Sequence, residues 1–231
     1  MTQQDLARDI GTIAVVGGTG ALGSGLAFRW ARAGLKVVIG SRDAARAAEK
    51  AAEIGEKANA AVSGDANAAA AAAADLVVLS VPFAQRDATL ESIAQHLAGK
   101  ILIDCTVPLV PPKVGRVQLQ QAGPAVMQVQ DRLGENVQVV SAFQNIGAGL
   151  LQGESDEIAC DVLVCSDYKE AAETCIALAE AAGLRGIAAG PLANAVCAEA
   201  LTSILITINR KYGANHAGIR ITGLPEGGSA A

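Results

Sequence analysis

Nothing in this chain spells a metal site. Its two histidines, His96 and His216, stand far apart, and its five cysteines (Cys105, Cys160, Cys165, Cys175, Cys197) include no C-x-x-C pair. Metal centres need ligands gathered at short spacing, so none is expected. Scattered, apolar-flanked thiols suit buried cysteine in a reducing compartment, which points to the cytoplasm. Positive charge is also short: 18 Lys and Arg against 23 Asp and Glu leave a net charge of −5. Nucleic acid and anionic membranes both demand a basic face, so neither is an expected partner. No basic start runs into an apolar stretch, and no run reaches membrane length without polar breaks, so neither a signal peptide nor a membrane span is expected.

What is present is apolar and periodic. The 231 residues are enough for one substantial core, or a domain with a small lobe. Hydrophobic residues make up 51% and charged ones 18%, the balance that parallel sheets buried on both faces require. The run Ile13-Ala14-Val15-Val16 enters Gly17-Gly18-Thr19-Gly20-Ala21-Leu22-Gly23, and an amphipathic helix follows over roughly Ala21 to Ala33. Strand, glycine turn and helix in this order form a dinucleotide fingerprint. Gly18 is expected to make the tight turn, Gly20 to admit a pyrophosphate to the backbone, and Gly23 to let the helix lie close on the sheet. The helix N-terminus then offers unpaired amides to phosphate.

A second strand, Val37–Ile39, ends in Gly40-Ser41-Arg42. An NAD site places an acidic residue at this strand end to hold the ribose diol. Serine and arginine instead suit a ribose 2′-phosphate, and Arg46 lies one helical turn beyond Arg42 on the same side. The cofactor expected is therefore NADP. Asp43 reads as the cap of the next helix.

Along the rest of the chain, strands alternate with helices. A polar leader, Met1 to Asp9, is expected to be loosely ordered. Helices are expected over Asp43 to Ala60, Ala68–Ala74 (capped by Asp65 or Asn67), Gln85 to Leu97, Leu119 to Leu133 with a break at Gly123-Pro124, and Tyr168–Ala182. Strands are expected at Leu76–Val81, Ile101–Ile103, Val137–Ala142, Asp161–Cys165 and Leu184–Ala188. Pro108 to Pro112 is a loop, and Gly147–Gly153 is ambiguous. Ala193–Tyr212 is a long apolar helix suited to a second subunit; Gly218–Thr222 is strand-like, and Gly227 to Ala231 should be disordered. The fold class is α/β: a Rossmann-type, doubly wound, mostly parallel sheet with a small C-terminal helical lobe. Residues 1–190 form the NADP-binding domain and 191–231 the lobe for substrate and dimerisation. Ligands belong at the strand ends, which carry Val81-Pro82, Asp104–Thr106 and Ala142–Ile146 besides the glycine turn and Ser41-Arg42.

Ketone reduction needs a proton donor, and the obvious one is missing. Short-chain dehydrogenases carry Tyr-x-x-x-Lys, but the residue four after Tyr168 is Ala172 and four after Tyr212 is His216. His96 sits inside a predicted helix; His216 lies in a C-terminal loop that can approach a ligand. A site without an evident acid or base suits hydride transfer between two flat heteroaromatic rings, which need only stacking and exclusion of water. Val81, Pro82, Ile146 and Leu201 are apolar enough to serve.

The chain resembles the NADPH-dependent reductases of coenzyme F-420. The matching pieces are Gly17–Gly23, Ile39-Gly40-Ser41-Arg42, Val81-Pro82, Val140-Ser141-Ala142, Val162-Leu163-Val164-Cys165, Ala189-Gly190-Pro191-Leu192-Ala193-Asn194 and Glu199-Ala200-Leu201-Thr202. The resemblance implies NADP held by Thr19, Ser41, Arg42 and Arg46, with Pro82 near the nicotinamide. It implies a deazaflavin beside Ile146 and the C-terminal helix, hydride passing between nicotinamide C4 and deazaflavin C5, and a homodimer. The full set of expected cofactor contacts is Gly18, Thr19, Gly20, Ala21, Leu22, Gly23, Ser41, Arg42, Arg46, Val81, Pro82, Ala142 and Ile146. Ile146, Asn194 and Leu201 are assigned to the second substrate, and no residue is assigned acid–base catalysis. One departure stands out: where the family carries a segment like His-Thr-Ile-Pro-Ala, this chain reads Gln144-Asn145-Ile146-Gly147-Ala148. Related metalloreductase domains use flavins, so FMN or FAD is an alternative acceptor. Two further readings stay open. One is an imine or keto-acid reductase with Arg210 and Lys211 as carboxylate ligands; the other is a catalytically silent NADP-binding redox sensor.

Overall fold

Eight strands form among the described residues: β1 (Thr12–Val16), β2 (Lys36–Ser41), β3 (Val62–Ala66), β4 (Leu76–Leu79), β5 (Ile101–Asp104), β6 (Gln138–Ser141), β7 (Asp161–Val164) and β8 (Arg185–Ala188). The helices are α1 (Ala21–Arg32), α2 (Ala44–Ala58), α3 (Asn67–Ala73), α4 (Phe83–Ile93), α5 (Ala125–Leu133), α6 (Ala148–Leu151), α7 (Lys169–Ala181) and α8 (Ala195–Tyr212). The structure is a computed structural model that describes residues 10–153 and 155–224. The expected leader over Met1–Asp9 and the tail over Gly227–Ala231 lie outside those residues.

Six strands pair in parallel in the order β3-β2-β1-β4-β5-β6. Val15 pairs with Ile39 on one side and Val78 on the other, so β1 sits where the order reverses. Successive side chains on a strand point to opposite faces. Ile13 and Val15 accordingly join one apolar cluster with Trp30 and Phe143, while Ala14 and Val16 join the other with Leu79 and Leu102. A strand buried on both faces has no polar alternation, which is why β1, β4 and β5 read as continuous apolar runs. The alanine-rich segment is the short helix α3; Ala70 and Ala71 are fully buried, and their small side chains let the helix lie close on the sheet.

Four differences from expectation have physical causes. β3 is absent from the sequence reading because Val62-Ser63-Gly64-Asp65-Ala66 is a half-exposed edge strand with poor strand propensity. It is held instead by its register with β2, Val37 opposite Val62 and Ser41 opposite Ala66. α5 begins only at Ala125, because Pro124 takes the extended conformation before it. Neither Asp65 nor Asn67 caps α3: its cap position is Ala66, and the Asp65 carboxylate accepts from the Ala66 amide at 2.6 Å. Finally, β7 and β8 do not extend the main sheet. They form a separate two-stranded parallel sheet, tied to β6 by an antiparallel bridge between Ser141 and Cys165. A parallel neighbour needs a crossover long enough to traverse the sheet, usually a full helix. The segment after β6 supplies only the four-residue α6, so the chain returns antiparallel.

The C-terminal segment folds back onto this second sheet. The Asp161 amide donates to the Ile219 carbonyl at 2.9 Å, and the Asp161 carboxylate accepts from Arg185 and from the Ile221 amide. Gly218–Thr222 is thus pinned beside β7 without being a strand itself. Burial pushes the Asp161 carboxyl up, but the Arg185 hydrogen bonds, the Ile221 amide and the Arg185 and Arg220 charges together hold it below its ordinary value.

Candidate functional site

The carboxyl ends of β1, β2 and β4 surround a cleft of about 580 Å³, lined by Gly17, Thr19, Gly20, Ser41, Arg42, Asp43, Arg46, Asn67, Ser80, Val81, Pro82, Gln85 and Thr89. It lies where the strand order reverses, the place where open α/β sheets bind ligands. Gly17, rather than Gly18, takes the left-handed backbone of the tight turn, with φ +78°. The reason is crowding as well as curvature: a Cβ on Gly17 would lie 2.5 Å from the Ser80 carbonyl oxygen. Gly23 serves close packing, since a Cβ there would meet the Gly18 Cα at 2.9 Å.

At the head of α1 the cap position is Gly20, no side chain caps the first amides, and the first turn holds no acidic residue. The amides and the positive end of the helix dipole are therefore available to an anion. At the end of β2, Asp43 caps α2: its Oδ1 accepts from the Ala45 and Arg46 amides at 2.9 and 3.3 Å. The carboxylate is thereby turned to its own helix. Among the described residues, neither Arg42 nor Arg46 pairs with a carboxylate, and both are exposed at the cleft. Two unpaired guanidiniums beside the Ser41 hydroxyl fit a phosphate monoester. Asn67 was not expected to line the cleft. Its side chain is buried, and Oδ1 has no partner among the described residues, which leaves an acceptor beside the cleft. These residues suit NADP: an uncapped helix end for the pyrophosphate, two cations for the 2′-phosphate, and Val81 with Pro82 at the apolar end.

Of the expected contacts, the cleft gathers Thr19, Gly20, Ser41, Arg42, Arg46, Val81 and Pro82. Gly18, Ala21, Leu22 and Gly23 build the turn and helix start without lining it. Ala142 is fully buried at the end of β6, with its amide donating to the Asp104 carbonyl. Ile146 is 8% exposed and belongs to the core cluster that contains Trp30 and Phe143. Asn194 donates from Nδ2 to the Ala189 carbonyl at 2.8 Å, which locks the turn into α8. Leu201 lies on α8, half-buried.

Behind the cleft lies a polar cluster that spacing did not reveal. Asp104, at the end of β5, is 1% exposed; its Oδ1 accepts from the Thr106 amide at 2.7 Å, and Oδ2 has no partner among the described residues. Gln144, also buried, donates from Nε2 to the Asp104 carbonyl and the Ser141 hydroxyl, each at 2.8 Å. Phe143 makes this possible by adopting φ +70°, a left-handed turn that aims Gln144 and Asn145 inward. Glu199 of α8 reaches across to accept from the Ala125 and Val126 amides, an N-terminal cap for α5 supplied from another helix. His216 rests against Gly147 and Gly149, where no side chain stands in its way. Asn209 holds it there, because its Oδ1 accepts from the Ala217 amide at 2.8 Å.

Burial pushes the Asp104 carboxyl up to about 6, against the pull of the Thr106 amide and hydroxyl and the Arg86 charge. Its folded value lies above the unfolded one, so the native state binds more protons between the two. The stability that Asp104 contributes is present below about pH 4 and is lost as pH rises through about 6. Asp104→Asn removes that dependence. Denaturant melts should show the variant gaining about 3 kcal/mol relative to the parent between pH 4 and pH 7. A stability difference that stays constant over this range would refute the assignment.

The family model described as NADP oxidoreductase coenzyme F420-dependent matches residues 12–108. The F420-dependent NADP reductase of Methanothermobacter thermautotrophicus is 42% identical over 222 residues, covering 93% of this chain and 96% of that protein. The enzyme of the same name from Methanocaldococcus jannaschii is 39% identical over 221 residues, covering 92% and 98%. A solved structure assigned as an F420-dependent NADP reductase, from Arthrobacter sp. FB24, superposes with a TM-score of 0.75 at 28% identity and covers 91% of this chain and 98% of that one. With two relatives near 40% identity matched almost end to end, the chain belongs to the F420-dependent NADP reductase family.

Proposed function

We propose that the protein is an oxidoreductase that passes hydride between NADP(H) and the deazaflavin coenzyme F-420. The NADP half of this reading rests on the cleft, where the unpaired Arg42 and Arg46 stand beside Ser41 and an uncapped α1. The acceptor half is supported by the names and near full-length match of the relatives. In the NADP-reducing direction, a hydride leaves C5 of the reduced deazaflavin for C4 of the oxidised nicotinamide. The electron pair moves with it, and the proton left on the deazaflavin ring goes to water. The protein's own part is to stack the rings and exclude water, for which Val81 and Pro82 serve on the nicotinamide side. The second ring is placed toward Ile146 and α8, with Asn194 holding the turn into that helix and Leu201 on its surface. Residues 1–190 act as the NADP domain and 191–231 as a lobe that completes the second site.

Stopped-flow absorbance tests the reading. NADP mixed with reduced coenzyme F-420 should exchange hydride within the enzyme's turnover, and NADPH with FMN or FAD should be slow. Preference for a flavin would reassign the acceptor, and no exchange with either would leave the silent sensor.

The protein is further proposed to be a cytoplasmic homodimer joined through α8. The segment Leu192–Tyr212 is long and apolar enough to cross a membrane by length and composition, with mean hydropathy 1.5. Its faces divide otherwise. Ala195, Ala198 and Leu205 are buried, whereas Ile204, Ile208 and Tyr212 are 47%, 37% and 72% exposed. With Cys197 and Leu201 these residues recur at spacings of three or four, along one exposed face on which a second helix can pack. Ile204→Glu should convert the dimer to monomer in sedimentation velocity; an unchanged sedimentation coefficient would remove α8 from the interface.

A further inference from the structure

The loop that follows β5 runs alongside α8, and at the far end the two enclose an open pocket of about 560 Å³. It is lined by Lys113 and Arg116 from the loop and by Arg210 and Lys211 from α8, with Pro112, Gly115 and Thr207 between them. Four cations and no carboxylate meet here in a chain of net charge −5. Among the described residues none of the four is paired with an acid. Arg210 and Lys211 have an ordinary explanation, since they sit in the last turn of α8 and favour the negative end of its dipole. That explanation does not reach Lys113 and Arg116, which belong to another segment. The pocket is built: the Thr207 hydroxyl donates to the Gly115 carbonyl at 2.8 Å. A Cβ on Gly115 would lie 2.9 Å from that hydroxyl, so the absence of a side chain seats the loop on the helix.

We propose that this pocket binds a flexible oligoanion, the phosphodiester and carboxylate tail of the second substrate. The assignment rests on the deazaflavin reading above. Coenzyme F-420 carries its ring on a polyol chain that continues through a phosphodiester into carboxylates. Thr202 ties α8 to the segment bearing Ile146, its hydroxyl donating to the Gln144 carbonyl at 2.9 Å. From Thr202 to Arg210 the helix advances about 12 Å at its usual rise. A ring placed beside Ile146 can therefore extend its chain along α8 into the cationic pocket. Arg210 lies on the opposite side of α8 from Leu201 and Ile208, and Lys113 and Arg116 belong to the loop, so these cations stay open if the exposed seam pairs in a dimer; Lys211, seven residues after Ile204, lies at the edge of that seam.

The test compares two substrates that differ only in the tail. Steady-state kinetics with NADPH are measured for coenzyme F-420 with its oligoglutamate tail and for the tail-free deazariboflavin. The proteins are the parent and the double variant Arg116→Gln with Arg210→Gln. The variant should raise KM for the tailed substrate about tenfold, the scale of lost charge-assisted contacts moderated by solvent. KM for the tail-free substrate, KM for NADPH and kcat should not move. The pair Lys113→Gln with Lys211→Gln repeats the measurement on exposed side chains should Arg210→Gln disturb the loop. Equal losses for both substrates, or no loss for the tailed one, would overturn the inference. Calorimetric binding of inorganic phosphate that the variant loses, with KM for F-420 unchanged, would make this a free-anion site and also overturn the tail assignment. If the parent turns over neither deazaflavin, the proposed function itself fails, an outcome separate from the others.

Discussion

Replacing Arg42 and Arg46 together with alanine should weaken NADPH binding roughly a hundredfold while changing NADH binding less than about threefold. The two nucleotides differ only in the 2′-phosphate, so a contact made to that group is lost for one and never existed for the other. Both guanidiniums line the nucleotide cleft, and the only carboxylate between them, Asp43, is held by the Ala45 and Arg46 amides of its own helix. Among the described residues neither arginine is ion-paired, so both are available to the phosphate. Arg42→Lys should recover part of the loss, because an ammonium keeps the charge but not the planar fork that grips two oxygens at once. The contact is exposed, so NADPH affinity should also fall with rising salt in the parent and much less in the double variant. Parallel titrations of both nucleotides read out all of these effects. Equal losses for NADPH and NADH would mean that the arginines act on the pyrophosphate or on the fold, and the 2′-phosphate assignment would fall.

The same pair of arginines shows what a single chain makes legible. Ser41, Arg42 and Arg46 could be read because their chemistry is local: one strand end, one helical turn, one phosphate. β1, its glycine turn and α1 were readable for the same reason. Features that depend on distant partners were not. Gln144 and Asn145 stood out in sequence only as a departure from the family segment; Phe143 turns them into the protein, where they hydrogen-bond to the Asp104 and Asp161 carbonyls. Asn67 looked like a helix cap and is instead a buried acceptor at the cleft. Glu199 stood inside a recognisable stretch, but its task, capping α5, joins residues far apart in the chain. Lys113 and Arg116 gained meaning only when the loop seat at Gly115 brought them to Arg210 and Lys211. The separate β7–β8 sheet follows from a missing crossover helix in the segment around Gly147–Gly153, which was ambiguous in sequence. Periodicity reports which face of an element is buried; it does not report what that face meets.

Arg29→Ala should cost the fold about 3–5 kcal/mol and, through it, the second-substrate site. Arg29, a cation on the amphipathic helix α1, is only 4% exposed. Its Nε donates to the Leu151 carbonyl at 2.9 Å, Nη1 to Ser155 at 2.5 Å, and Nη2 to Leu150 and Gly153 at 3.1 and 2.9 Å. These carbonyls belong to the end of α6 and the chain beyond it, the groups that a helix C-terminus leaves without partners. One guanidinium thus satisfies a whole turn, and Gly25, one turn earlier on α1, brings the helices close enough for it to reach: a Cβ there would lie 2.7 Å from the Leu151 Cβ. Alanine would bury the carbonyls unpaired or force the segment open to water. The melting temperature should fall by about 10 °C, given the size of the chain. Arg29→Lys should recover little, since three tetrahedral donors cannot serve carbonyls that a planar group meets in its own plane. The functional effect should be lopsided. α6 begins where His216 rests on Gly147 and Gly149, two residues after Ile146, whereas the nucleotide cleft lies at the opposite end of α1. KM for the deazaflavin should therefore rise in a folded Arg29→Ala sample measured well below its melting point, with NADP affinity unchanged. Matched losses at both sites would show that α1 moves as a whole, and an unchanged melting temperature would show that water replaces the guanidinium without cost.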